Sequence, residues 1–156
     1  MGTRTLPCWP LGPANYLKLA LAILFLSTPT RTLAEGGLDR LPSPPDAMVY
    51  IISPAAGETV SSPVTVRFGL KGMGVTPAGI ERGSTGHHHL LIDTEAPDLS
   101  LPVPADANHI HYGGGQTEAI VELEPGPHSL RLLLGDYRHI PHDPPIISEQ
   151  IEILVE

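Results

Sequence analysis

The sequence predicts an all-β protein with a single antiparallel, immunoglobulin-like β-sandwich, preceded by a signal-peptide helix. Six or seven short runs carry apolar residues at every second position, as strands with one buried face do. Turn residues separate these runs, since the 156 residues include 18 Pro and 16 Gly. Nothing after residue 34 carries a convincing period of 3.6 residues, so helices are not expected there.

The N-terminal leader, residues 1–34, predicts a secretory signal peptide. Arg4 and Lys18 precede an unbroken apolar run at residues 19–26, and small residues ending at Ala34 resemble a cleavage site. A transmembrane anchor is disfavoured, because the run has eight residues and a bilayer span needs roughly 20. We therefore expect cleavage after Ala34 and a periplasmic or secreted protein without stable membrane insertion.

Residues 35–46 are polar and Pro-rich and predict a linker. Residues 47–156 then form the predicted His-rich sandwich domain. Its predicted strands occupy residues 47–52, 63–70, 87–93, 108–112, 118–123, 127–134 and 147–155. The alternation is cleanest in the second strand, where Val64, Val66 and Phe68 share one face. The long segments 72–86 and 93–107 are predicted loops, and long ordered loops often carry function.

A local motif favours the immunoglobulin-like topology. Residues 123–128 read Leu-Glu-Pro-Gly-Pro-His, which has the form of a tyrosine corner with His128 in the place of the tyrosine. We expect the ring of His128 to hydrogen-bond the preceding backbone, as a corner tyrosine does.

Charge and cysteine content exclude several functions. All 17 Asp and Glu follow the leader, together with six of the nine Lys and Arg, so residues 35–156 carry a formal charge of −11. This charge repels polyanions, so nucleic acid and anionic membranes are poor partners, whereas cations are attracted. The only cysteine, Cys8, lies in the leader, which leaves the domain without disulfides or thiol catalysis.

The histidines carry the strongest chemical signal. All eight lie between His87 and His142, in three clusters with His128 apart. On a strand, residues i and i+2 point to the same side, so an H-x-H pair presents two imidazoles to one point. Imidazole pairs of this kind suit Zn, Cu or Ni. The metal ligands that the sequence predicts are His87, His89, His109, His111, His139 and His142, with copper or zinc as the ion.

Two of these ligands come from a predicted loop. His139 and His142 lie in a Pro-containing segment beside Asp136 and Asp143. A carboxylate beside an imidazole can bind the ion itself or orient the ring by accepting its second N–H.

A structural role for the histidines stands as the alternative. His88 shares a strand face with Leu90 and Ile92, which indicates a packed histidine. The other rings could form a hydrogen-bonded network within an interaction or ligand-binding module, whose partner would be an unidentified periplasmic protein. An enzyme is the less favoured reading, because it would need three histidines, an open position on the metal and a base such as Glu118. The sequence leaves open whether the rings converge.

Four blocks of sequence carry a family resemblance. They are V-x-F-G-L-K-G-M-G-V-x-P-A-G, G-H-H-H-L-L-I-D, H-I-H-Y-G-G-G-Q-T-E and L-L-L-G-D-x-x-H-x-P-H-D-P-P, at residues 66–79, 86–93, 109–118 and 132–145. The chain resembles the exported domain-of-unknown-function family 4399 over nearly all of residues 47–156. The resemblance implies a small secreted bacterial domain that stands alone after a signal peptide, and it implies no particular activity.

Overall fold

The computed structural model describes residues 1–2 and 38–156. The predicted signal peptide and the first residues of the predicted linker lie outside the described residues, so cleavage and export stay predictions. The described part contains no helix and therefore none that is long and apolar enough to cross a membrane.

In the part of the chain that the structure describes, nine strands form two sheets that pack as a sandwich, which confirms the predicted all-β fold. The strands are β1 (Met48–Ser53), β2 (Thr59–Val60), β3 (Val64–Lys71), β4 (Gly74–Val75), β5 (Thr85–Ile92), β6 (His109–His111), β7 (Glu118–Val121), β8 (Gly126–Gly135) and β9 (Ile151–Val155). One sheet has the order β1-β3-β7, and the other has the order β2-β9-β8-β5-β4 with β6 also paired to β5. The sequence missed β2 and β4, because two residues are too few to show an alternation.

The core lies between the two sheets and follows the predicted alternation. Val64, Val66 and Phe68 of β3 are buried, whereas Thr65 and Arg67 between them are exposed. The larger sheet faces them with Leu130 and Leu132 of β8 and with apolar residues of β5 and β9. Burying a large aliphatic side chain of this kind stabilises a fold by about 1.5–3 kcal/mol.

Strand β5 is buried on both faces, whereas strands of an antiparallel sheet commonly pack one face on the core and leave the other in solvent. From Gly86 to Ile92 every residue is buried. Leu90 and Ile92 belong to the core, whereas Leu91 packs with Val103 and Leu133 in a second apolar cluster. The outer face of the larger sheet is thus covered by loops, and this covered face carries the candidate site.

The predicted linker contacts the domain. Pro42 forms a parallel bridge with Asp143, and the Ser43 N–H donates to the Asp143 carbonyl at 3.1 Å. The Asp143 N–H in turn donates to the Leu41 carbonyl at 2.9 Å. In the described residues, this segment is an ordered strip beside the loop that follows β8.

Candidate metal centre

Strand register brings three histidines to one face. His89 of β5 pairs with His111 of β6, and His87 pairs with Gly135 of β8. Directly paired residues of neighbouring strands point to the same side of a sheet, and so do residues i and i+2 of one strand. His87, His89 and His111 therefore share the outer face of the larger sheet, opposite the core.

The fourth histidine comes from the loop after β8. His139 has a backbone φ of +68°, in the left-handed region that non-glycine residues seldom adopt. Hydrogen bonds hold it there, because its N–H donates to the Asp136 carbonyl and its own carbonyl accepts from the Val103 N–H, both at 2.9 Å. Left-handed non-glycine residues are frequent at functional sites.

The four side chains form one compact group, which we call the histidine centre: His87, His89, His111 and His139. One ring nitrogen of each can be chosen so that all four lie within 4.8 Å of one another. Every pair of rings is in contact, with centroid separations from 4.6 to 6.0 Å. A tetrahedral Zn site with bonds of about 2.0–2.1 Å separates its ligand nitrogens by about 3.3 Å. The four nitrogens therefore lie near one another but not all necessarily at that spacing, and binding an ion requires them to approach it.

Two glycines make room for the rings. A Cβ atom on Gly113 would lie 2.2 Å from Cε1 of His111, and one on Gly135 would lie 2.7 Å from Cε1 of His89. Both contacts are shorter than non-bonded carbon atoms tolerate. The lack of a side chain at these positions thus permits the observed ring positions.

Burial keeps the inner imidazoles neutral. Burial, aided by the neighbouring His139 and His111, lowers the pKa of His87 to about 4. Burial, followed by the effect of the His87 ring, lowers the pKa of His89 to about 2. Burial likewise lowers the pKa of His139. A neutral imidazole has the free lone pair that a metal ion needs, so these rings are ready ligands at neutral pH.

Three of the four ring nitrogens of His87 and His89 lack hydrogen-bond partners among the described residues. His87 Nε2 and His139 Nδ1 lie 3.0 Å apart, so either can donate to the other. Nδ1 of His87 and both ring nitrogens of His89 are buried with no hydrogen-bond partner among the described residues. A buried polar atom without a partner costs about 1–3 kcal/mol. Coordination of an ion would satisfy one nitrogen of each ring.

The centre opens to solvent on one side. His87 and His89 are buried, His139 is half-buried and His111 is exposed. The histidine centre is therefore buried at His87 and His89 and accessible to solvent at its rim, which His111 forms.

The structure does not bring the other two predicted ligands into this group. His109 lies opposite Leu91, one side-chain row beyond His111, and its Nδ1–H donates to Asp106 Oδ1 at 2.8 Å. Successive same-face residues on a strand are about 6.6 Å apart, which separates the His109 ring from the centre. His142 lies three residues after His139, and its side chain is buried outside the histidine centre. Burial lowers the pKa of His142, although Asp136 and backbone hydrogen bonds at Leu134 and Thr85 act to raise it.

The two histidines expected to be structural behave as predicted. His88 contacts Phe68 in the core, and its Nδ1–H donates to the Gln116 carbonyl at 3.1 Å. His128 donates from Nε2 to the Glu124 carbonyl at 2.8 Å, as the corner motif predicts. Its Nδ1–H donates to Asp93 at 2.7 Å. Burial opposes the charge on His128, but these acceptors outweigh it and raise its pKa.

Sequence reasoning missed two glycines that shape the centre and gave Asp136 a different role. Gly113 and Gly135 matter only because of strand register, which a single sequence does not reveal. Asp136 is fully buried, and its Oδ1 accepts from the N–H groups of Arg138 and Ile140 at 2.7 and 3.0 Å. The sequence singled out Asp136 as a carboxylate that could bind an ion or orient a ring, whereas in the structure it accepts backbone N–H groups and organises the loop around His139.

The fold and the centre define a small all-β sandwich with a group of imidazoles of the kind that holds transition metals. The chain belongs to the family described as domain of unknown function DUF4399, which matches residues 66–156. The matched residues include the whole histidine centre. Comparison with curated proteins and with solved structures found no match.

Proposed function

We propose that this protein binds one transition-metal ion, copper or zinc, through the four imidazoles of the histidine centre. The observation that carries the proposal is His89. Its two ring nitrogens are buried and unpartnered, and its ring contacts those of the three other histidines. Imidazole ligands suit Zn, Cu, Ni and Fe, and of these we propose the first two.

Exchange of the ion suits this centre better than permanent structural binding. Structural zinc sites are typically closed, whereas His111 at the rim is exposed. The predicted signal peptide supports a role outside the cytoplasm. The excess negative charge of the domain supports cation binding, because it attracts cations. We therefore propose storage, delivery or sensing of the metal in the periplasm or outside the cell.

An interaction module is the second candidate. The neighbour orders β1-β3-β7 and β9-β8-β5 correspond to strands A-B-E and G-F-C of an immunoglobulin-like sandwich, and His128 supplies the corner contact at the start of β8. This order supports an immunoglobulin-like topology, on which binding modules are common. As a purely structural network, however, the histidine centre would leave the His89 nitrogens without partners.

Two neighbouring histidines of β6 provide the test. His111→Ala removes a member of the centre, whereas His109→Ala removes a histidine two residues away that is bonded to Asp106. The purified full chain is stripped with a chelator, loaded separately with Cu²⁺ and Zn²⁺, dialysed, and assayed by elemental analysis. We expect one ion per chain in the unaltered protein and in His109→Ala, and loss of the ion in His111→Ala. Equal metal content in the two variants, or no metal in the unaltered protein, would contradict the proposal.

A further inference from the structure

We propose that residues 39–43, here called the strap, hold residues 136–144, here called the His139 loop, and thereby set how slowly the metal ion is released. This inference rests on the proposed function. The strap lies outside residues 66–156, which the family model matches, whereas the His139 loop lies within them.

The strap binds the loop through its backbone and through one arginine. Arg40 donates from Nε to the Pro141 carbonyl at 3.0 Å and from Nη2 to the His142 carbonyl. Its Nη1 lies 3.5 Å from a carboxylate oxygen of Asp143. Arg40 is largely covered, with 19% of its side chain exposed, whereas the Asp143 side chain is 66% exposed. The two bonds to carbonyl groups therefore hold the guanidinium more firmly than the solvent-screened ion pair does. One guanidinium thus fixes three consecutive loop residues.

A second arginine connects the strap to the backbone that carries His139. Nη2 of Arg138 donates to the Asp39 carbonyl at 2.6 Å and to Asp136 Oδ2 at 3.0 Å. Asp136 in turn accepts the N–H groups on either side of His139. The strap therefore supports the buried carboxylate that shapes the turn around the metal ligand.

His139 is the ligand that needs this support. His87, His89 and His111 project from paired strands, whose ladders fix their positions. His139 projects from a loop and adopts a left-handed conformation, which persists only where the surrounding structure enforces it. Loosening the loop would free this ligand first, and partners beyond the direct ligands commonly change metal affinity by about 10–100-fold.

The first test measures release of Zn²⁺ from the loaded full chain to a colorimetric chelator. We expect Arg40→Ala to keep one Zn²⁺ per chain but to release it about 10-fold faster or more. Arg40→Lys is expected to fall between, because an ammonium lacks the planar fork that reaches two carbonyls. The control is Arg67→Ala, which removes an exposed arginine paired with Glu118 in the smaller sheet and is expected to release Zn²⁺ at the original rate.

The outcomes separate this inference from the proposed function. If the unaltered chain binds neither Zn²⁺ nor Cu²⁺, the metal function fails and the inference fails with it. If it binds Cu²⁺ alone, the release of Cu²⁺ is measured in the same variants. If the unaltered chain binds Zn²⁺ and Arg40→Ala releases it at the same rate, the role of the strap alone is overturned.

The second test needs no variant and decides the question if Arg40→Ala does not fold. Because coupling is reciprocal, a strap that stabilises the bound ion must itself be stabilised by the ion. We expect Zn²⁺ to slow amide hydrogen exchange more at Ser43 and Asp143, whose N–H groups join strap and loop, than at Gly57, whose N–H donates to Glu152 in a turn outside both segments. Equal slowing at all three amides would contradict the role of the strap.

Discussion

At the scale of single residues, the centre depends as much on absent side chains as on the imidazoles. Gly113 and Gly135 lie where a Cβ atom would overlap the rings of His111 and His89. The rings of His111 and His89 can occupy their observed positions because glycine has no Cβ atom at residues 113 and 135. The histidine centre therefore requires both the four imidazoles and the two glycines that leave space for them.

Gly113→Ala tests this dependence. Its Cβ would overlap the exposed His111 ring, so the ring must move, and we expect metal affinity to fall by roughly 10–100-fold. Folding should change little, because the displaced ring lies at the surface. Gly83→Ala is the matched control, since a Cβ there meets no atom within 4 Å. Titration with a competing chelator measures both affinities, and equal values would refute the steric role of Gly113.

At the scale of elements, β5 divides its three consecutive histidines between two functions. His88 faces the core, whereas His87 and His89 face the covered outer side. The same alternation that buries Leu90 and Ile92 thus presents two members of the histidine centre on the opposite face. One strand serves both the core and the centre.

This division predicts opposite effects of neighbouring substitutions. His88→Ala leaves a cavity beside Phe68 and deprives the Gln116 carbonyl of a donor, so we expect the free energy of unfolding to fall by about 2–4 kcal/mol. Its metal content should be unchanged. His89→Ala is expected to lose the metal ion. Urea unfolding of the metal-free proteins and elemental analysis of the loaded ones provide the two readouts, and metal loss in a folded His88→Ala protein would argue against the division.

At the scale of the whole molecule, buried neutral imidazoles make the metal-free fold sensitive to acid. The unfolded chain protonates its histidines near pH 6.5, whereas His87 stays neutral in the folded state down to a pKa of about 4. Between these values the unfolded state binds more protons, so stability falls as the pH falls. His128 has the opposite effect, because its raised pKa stabilises the fold at low pH and that stabilisation is lost as the pH rises through its folded-state pKa.

We therefore expect the urea midpoint of the metal-free protein to decrease steadily from about pH 6.5 to pH 4. Replacing His87 by Gln removes one of the groups responsible and should flatten the profile. His109→Gln serves as the comparison at a histidine outside the centre. A midpoint independent of pH across this range in the unaltered protein would contradict the burial of neutral rings.

Much of the fold follows from local pattern. The alternation in β3 and the corner at His128 involve neighbouring residues, so a single sequence displays them. The centre depends on pairing between distant residues: His89 meets His111 only through the β5–β6 register, and His139 arrives from a loop. The i, i+2 rule correctly put His109 and His111 on one face of the sheet. It did not show that His109 pairs with Leu91, two residues along β5 from His89, and so lies outside the histidine centre. Which histidines converge depends both on their position along a strand and on the register between neighbouring strands.

The central claim is that four imidazoles hold one metal ion, and X-ray absorption at the metal edge of the loaded full chain tests it most directly. We predict a first shell of four nitrogen scatterers, at about 2.0–2.1 Å for zinc, with the outer-shell scattering pattern of imidazole rings. In His111→Ala, any residual bound metal should show fewer imidazoles. A first shell of oxygen atoms with no imidazole signature in the unaltered protein would contradict the claim.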